Sequence, residues 1–512
     1  MTDYEPTWAS LRTHGVPAWF SNAKFGIWAH WGAQSVAESG DWYARHLYGM
    51  QPGSADWERK RADRQHADHL ERFGSPDTEG AKDLLPRWTA ERFDAEALVA
   101  LFVEAGARFI VSMAVHCDNI ALWESTEQPW NTAAYGPKRD IVAEWERATR
   151  AAGLPFGLSF HNNWTWRWLD AAHGTDPITG RPHDGRLTAA DGADLWWDGL
   201  DPRELYLEPH RPGAAPPAAW VDRFYRMATE ATMRYQPDSV YFDDRRMPFD
   251  AGGELPASPP SDAGMRYLAD YYRAADDWTP GSPTGIVSIK DVPDEDRTAV
   301  LLDSERRQLD TLQSEPWQFD TSDGEWFDCA SDDPMFHQRK TPRQVLHLLI
   351  DVVSKNGTLL LNIPQRADGT VDDRARALLS EIGDWLRICG EGIYETTPWV
   401  RYGEGPVASA HGELALGDLA ASYDEGERDF TAADIRFTRR DGALYATLLG
   451  WPADGIATIG SAGRASGLLE HEPGTVELLG HGPVPWTRTA AALVVELPEQ
   501  SPTRHAHMIR IV

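Results

Sequence analysis

The sequence predicts an α/β fold: a (β/α)8-like TIM barrel over residues 1–396, followed by an antiparallel β-sandwich domain over 397–512. Three observations lead there. Short β-prone runs alternate with segments of helical periodicity between Phe25 and Asn362, the pattern of βαβ units in a parallel sheet. Each apolar run ends on a polar residue, as strands do when their C-terminal ends ring one pocket. Beyond residue 398 the texture changes to short alternating runs separated by Gly, Asp and Pro, which reads as antiparallel.

In chain order, the expected barrel strands are 25–30 (FGIWAH), 109–115 (FIVSMAV), 156–160 (FGLSF), 239–243 (SVYFD), 285–290 (GIVSIK), 299–303 (AVLLD) and 357–362 (GTLLLN). Helical periodicity covers 94–106, 139–152, 218–235, 262–277, 342–355 and 372–388. Two stretches, 50–92 and 170–217, are rich in Pro, Gly, Asp, Arg and His. They read as insertions after barrel strands, where such loops shape a substrate entrance. In the tail, Asp441-Gly442 between alternating apolar residues marks a hairpin turn. The clearest tail segments look like core strands, so the expected role of this domain is to brace the barrel.

Composition narrows the function. The 512 residues carry a net charge of −30, which repels phosphate backbones and anionic lipid surfaces. Nucleic acid and membrane partners are therefore not expected, and a neutral small molecule or oligosaccharide suits the chain better. Cys117, Cys329 and Cys389 are far apart and form no CxxC, so neither a disulfide framework nor a zinc finger is expected. No basic-then-apolar leader and no apolar run of membrane-spanning length is seen, giving a cytoplasmic expectation. Oligomeric state is left open, a homo-oligomer included. The 23 Trp favour sugars, whose CH-rich faces stack on indoles.

The strand ends supply the chemistry. The first run leads into His30, the second into His116, Cys117 and Asp118, and the third into His161. The fourth leads into Asp243 and Asp244, the fifth into Lys290, the sixth towards Glu305 and the last into Asn362. Two readings fit three histidines with several carboxylates. In one, the histidines and tryptophans hold a sugar while a carboxylate pair does nucleophilic and acid/base work. In the other, His30, His116, His161 and Asp243 hold a catalytic metal. The chain has neither an HxH on the first strand nor an HExxH, so no metal and no cofactor is expected.

Several blocks resemble glycoside hydrolase family 29, the α-L-fucosidases. WFSNAKFGIWAHWGAQSV followed by DWY is similar to that family's opening, and RFDAEALVALFVEAGARFIVSMAVHCDN to the segment with its Lys-His-His-Asp-Gly-Phe. PDSVYFDD resembles the strand that carries the nucleophile. TPRQVLHLLIDVVSKNGTLLLNIPQRADGTV, GEGIYETTPW and, in the tail, LYATLLGWP and VELLG complete the likeness. The resemblance implies a retaining α-L-fucosidase with Asp243 as nucleophile, Asp244 being its local competitor. It implies Glu305 as acid/base, with Glu315, Glu325 and Asp303 as rivals. His30, Asp41 (where the family usually has Glu), Trp42, His116, Cys117, His161, Trp166, Tyr241 and Trp317 are the expected sugar-site lining. Arg245, Arg246 or Lys290 would keep Asp243 ionised, and Trp42 or another aromatic would pack on the sugar's C6 methyl. One departure bears on specificity: Cys117 stands where the family usually has a second His. A hydroxyl left unpaired there would cost about 1–3 kcal/mol, enough to favour a related L-sugar such as an α-L-galactoside. A carbohydrate-binding homologue without activity is the remaining alternative.

Overall fold

A computed structural model of the chain describes residues 3–49, 55–211, 213–250, 261–278, 285–331, 333, 335–407 and 430–512. Eight parallel strands close into a barrel in chain order. They are β1 (Phe25–Ala29), β2 (Ile110–Val115), β3 (Phe156–Phe160), β4 (Ser239–Phe242), β5 (Ile286–Lys290), β6 (Leu301–Glu305), β7 (Trp317–Ser322) and β8 (Gly357–Asn362). Pairing β8 back onto β1, with Phe25 opposite Leu359, closes the ring. Nearly every strand residue is buried, as expected when helices cover one face of a parallel sheet and side chains fill its interior.

Two strands differ from the sequence reading. β6 begins at Leu301 because the amides of Ala299 and Val300 close a turn onto Asp296, and this makes Glu305 the last strand residue. β7 was not expected at all. Its sequence, WQFDTS, carries a polar residue at every second position and so lacks an apolar run. The barrel accepts those residues by pairing them inside: Gln318 donates to Asp303 across the β6–β7 ladder at 2.8 Å.

The helices follow from ordinary capping. α1 (Asp56–Arg72) lies within the first insertion. α2 (Ala95–Glu104) and α3 (Ile141–Ala151) start at Asp94 and Asp140, each accepting a bond from the amide three residues on. α4 (Ala218–Tyr235) and α5 (Ala263–Trp278) flank β4 in sequence. α6 (Pro342–Ser354) opens with a capping box between Thr341 and Gln344, and Pro342 sits in its first turn. α7 (Asp373–Cys389) is capped by Asp372. The links from β5 to β6 and from β6 to β7 carry no α-helix, so the barrel's outer layer is incomplete there. α7 crosses α2 closely: a Cβ on Gly383 would lie 2.3 Å from the carbonyl oxygen of Glu104.

The tail forms two antiparallel sheets. One has the order β14-β13-β17-β11-β10-β9 and the other β12-β16-β15, counting β9 (Thr397–Glu404), β10 (Ile435–Arg440), β11 (Ala443–Leu448), β12 (Ile456–Ile459), β13 (Val476–Leu478), β14 (Gly482–Pro483), β15 (Trp486–Arg488), β16 (Leu493–Glu496) and β17 (His507–Ile511). Their inner faces share one core that includes Phe437, Leu448, Ile459 and Val495, which makes a sandwich. The alternation along β10 assigns its two faces. Ile435 and Phe437 enter the sandwich core, while Arg436 and Thr438 bond to Asp351 and Gly392 of the barrel.

Candidate active site

The C-terminal ends of the strands bring most of the expected residues together. His30, next after β1, is buried, with its backbone amide held by the Asn362 side chain at 3.1 Å. Its ring meets those of His116, His161, Trp326 and Phe327 at centroid distances of 4.8–5.4 Å. Among the described residues neither ring nitrogen has a hydrogen-bond partner. Burial, with His161 and His116 adding to it, pushes the His30 pKa well below the usual imidazole range, so the ring is neutral and offers one donor and one acceptor.

His116 follows β2. Gln34 donates to its Nδ1 at 2.8 Å, which places the proton on Nε2, 3.7 Å from the Asp41 carboxylate. Asp41 is held from behind: Arg61 and Gln65 donate to its carbonyl at 2.9 Å, and its amide points at Glu325 at 3.3 Å. Burial raises the Asp41 carboxyl to about 7. Trp42, half-buried beside it, has φ 67°, a left-handed conformation uncommon for a bulky residue.

His161 follows β3 and touches Asp243 through Nδ1 at 3.2 Å, while Nε2 faces Ser159 at 3.2 Å. Asp243 follows β4. Its Oδ1 accepts from the Lys290 ammonium at 2.5 Å, and the same nitrogen donates to Glu305 Oε2 at 2.6 Å. Burial alone would raise the Asp243 pKa, but Lys290 and His161 outweigh it and hold the carboxylate well below the usual range. Of the three cations anticipated near Asp243, Lys290 fills the role. Arg245 turns to Asp291, and Arg246 is exposed. The two ammonium contacts cap the separation of these carboxylate oxygens at about 5.1 Å, compatible with the roughly 5–5.5 Å between carboxyl groups of retaining glycosidases.

The rivals sit elsewhere. Asp244 is 1% exposed, and its carboxylate accepts from Asn163 and from the Arg245 amide. Glu315 precedes β7 and so belongs to the opposite, N-terminal end of the barrel. Glu325 is tied up by Arg61 at 2.5 Å and by the His337 amide. Despite burial these hold its pKa below the usual value, which suits a brace and not an acid. Asp303 lies inside the barrel, bonded to Gln318.

Four lining expectations need correction or refinement. Trp317 is the first residue of β7, at the end of the barrel away from the site, buried and bonded to the Lys355 carbonyl at 3.0 Å. Trp166 stacks on His210 at 3.9 Å and donates to Ala214, so it packs the second insertion; Trp168 is the indole that meets His116, at 5.6 Å. Cys117 directs its thiol at the His161 carbonyl, 3.4 Å away, so its hydrogen faces backbone. Tyr241 is 3% exposed, as covered as His30 and His161, and lies against Trp28 and His161. Trp326 and Phe327 were missed because β7, which leads to them, has no apolar signature. The insertions also lock together: Lys82 bridges Asp83 and Asp184 at 2.6 and 2.8 Å, and Asp184 accepts from Tyr48 and Tyr206.

Among the described residues no helix is long and apolar enough to cross a membrane, and no group of three His, Cys, Asp or Glu is placed to hold a metal ion.

Comparison with known proteins covers nearly the whole chain. The family model described as alpha-L-fucosidase matches residues 1–391, and that of the alpha-L-fucosidase C-terminal domain matches residues 427–512. Plasma alpha-L-fucosidase of Rattus norvegicus is 27% identical over 97% of this chain and 91% of its own. The Homo sapiens plasma enzyme is 25% identical over 97% and 89%. Among solved structures, Thermotoga maritima alpha-fucosidase in complex with a mechanism-based inhibitor superposes with a TM-score of 0.69 at 25% identity, covering 99% of this chain and all of that one.

Proposed function

Because this chain belongs to the α-L-fucosidase family, we propose that it is a retaining α-L-fucosidase, releasing terminal α-L-fucosyl residues from glycoconjugates or oligosaccharides by double displacement. One observation supports the reading most: a single ammonium, that of Lys290, bonds an oxygen of Asp243 and one of Glu305, a spacing that suits two carboxyls acting on one anomeric centre.

In the first step an Asp243 oxygen attacks the anomeric carbon. The bond to the leaving oxygen breaks as Glu305 gives that oxygen its proton. In the second step water attacks the glycosyl ester, Glu305 takes a proton from the water, and Asp243 departs as carboxylate. Lys290 suits Asp243 to both roles, keeping it ionised for attack and stabilising it on departure. The His30 nitrogens, which meet no partner among the described residues, are left for sugar hydroxyls, and Trp326, which lies against His30 and is 9% exposed, offers apolar surface for the C6 methyl. The division of the chain near residues 396 and 397, with the tail as a brace, belongs to the same reading. So does a cytoplasmic placement, which the three unpaired cysteines favour.

A panel of 4-nitrophenyl glycosides tests the substrate, and proton NMR of the first-formed sugar tests the stereochemistry. The α-L-fucoside should be cleaved fastest and release the α-anomer first. A β-anomer as first product would exclude double displacement, and no cleavage of any glycoside would favour the binding homologue. The Cys117 thiol, spent on backbone, supports a second reading in which an α-L-galactoside is the better substrate; the same panel separates the two.

A further inference from the structure

Below the catalytic carboxylates lies a second acidic pair that the mechanism does not use. Asp303 on β6 stands opposite Lys290 in the β5–β6 ladder, and Asp320 on β7 stands opposite Glu305. Both aspartates are essentially buried, at 2% and 1% exposure. Asp303 Oδ1 accepts from Gln318. Among the described residues its Oδ2 and both oxygens of Asp320 meet no donor. Asp303 pairs with Gln318 and Asp320 with Glu305 along the same ladder, so the two aspartates are diagonal neighbours on one face of it. An isolated buried carboxylate is costly, and two in contact do not both ionise. One proton placed between them gives the pair a donor where the protein supplies none.

We propose that Asp303 and Asp320 are a one-proton positioning pair: while they share a proton the Lys290 ammonium is left to Asp243 and Glu305, and when the proton is lost the pair competes for that ammonium and slackens the tether of the catalytic carboxylates. The inference rests on the assignment of Asp243 and Glu305 above. The groups facing the pair are Asp243 and Tyr241 from β4, Lys290 from β5, Glu305 from β6 and Gln318 from β7. Burial first, then repulsion among these carboxylates, holds both aspartates above the usual range. The pair therefore holds its proton to higher pH than an ordinary carboxyl and loses it as pH rises, so turnover should fall on the alkaline side.

The test compares wild type, Asp320→Asn and Asp303→Asn on an aryl α-L-fucoside whose leaving group needs no proton, which removes the acid's part in the first step from the profile. Between about pH 6 and pH 9, wild-type kcat should fall at least tenfold, and the Asn variants, unable to lose that proton, should stay within about twofold. Infrared difference spectra over the same range should show, beside the Asp41 band common to all three proteins, a further protonated-carboxyl band in wild type that both variants lack. Parallel profiles in all three proteins, or no such band, would overturn the proposal. The infrared arm needs only one of the two variants to fold and no particular sugar as substrate, whereas the anomer released bears only on the assignment above.

Discussion

Two buried charge clusters use similar groups in opposite proportions. At the junction of barrel and sandwich, one carboxylate serves two cations: Asp351 bonds Lys355 and Arg436 at 2.6 Å each, and all three side chains are 1% exposed. At the strand ends, one cation serves two carboxylates, and Asp243, Lys290 and Glu305 keep 17–23% of their side chains open. Around the second cluster the polar groups are also under-satisfied, with both nitrogens of His30 and both oxygens of Asp320 lacking partners among the described residues. A closed cluster in which each charge meets its opposite can only hold structure together. An open one with spare donors and acceptors awaits a ligand and a proton. The same lesson separates Arg61–Glu325, which is closed, from Lys290–Glu305, which is not.

The comparison can be broken by substitution. The largest effect should come from Asp243→Gly, which removes the nucleophile: kcat on the α-L-fucoside should drop at least about 10³-fold and recover in part with azide, as read by initial rates. Next, Asp351→Asn should lower unfolding free energy by about 3–5 kcal/mol, since two buried cations lose their charge partner, while kcat on the folded protein stays within about twofold. Denaturant titration beside steady-state kinetics checks both; a kcat defect in the folded variant would mean the clusters are coupled. The acid dependence sharpens this. Although burial opposes it, Lys355 and Arg436 hold the Asp351 carboxyl well below its ordinary value. Its contribution is therefore complete above the unfolded carboxylate value, about 4, and is lost as pH falls below it. Asp351→Asn should flatten that part of the stability curve.

Smaller in expected size, Glu305→Ala should slow glycosides with poor leaving groups about 10²–10³-fold but spare those whose leaving group needs no proton. Equal losses on both would argue against the acid role. Smallest should be Trp317→Phe: a stability loss of about 1–2 kcal/mol from the missing indole and its bond to Lys355, with KM for the fucoside unchanged.

Much of the fold was legible because seven strands are plain apolar runs, and their ends flagged His30, His116, His161, Asp243, Lys290 and Glu305. β7 was not, because Gln318 and Asp320 interrupt it and find their places only through the neighbouring strand. That one omission hid Trp326 and Phe327. It also let Trp317 pass for a site residue, since a tryptophan at the start of an unrecognised strand gives no hint of which barrel end it occupies. Rotation about a side chain is equally invisible in sequence. Trp166 and Trp168 share a short helix, yet only Trp168 faces His116, and the thiol of Cys117 turns to backbone.

Covalent trapping addresses the central assignment most directly. The protein would be incubated with a 2-deoxy-2-fluoro-fucosyl donor, digested, and the labelled peptide sequenced by mass spectrometry. The adduct should sit on Asp243 and accumulate one per chain. A label on Asp244 or another residue, or turnover of ordinary fucosides with no covalent adduct, would contradict it.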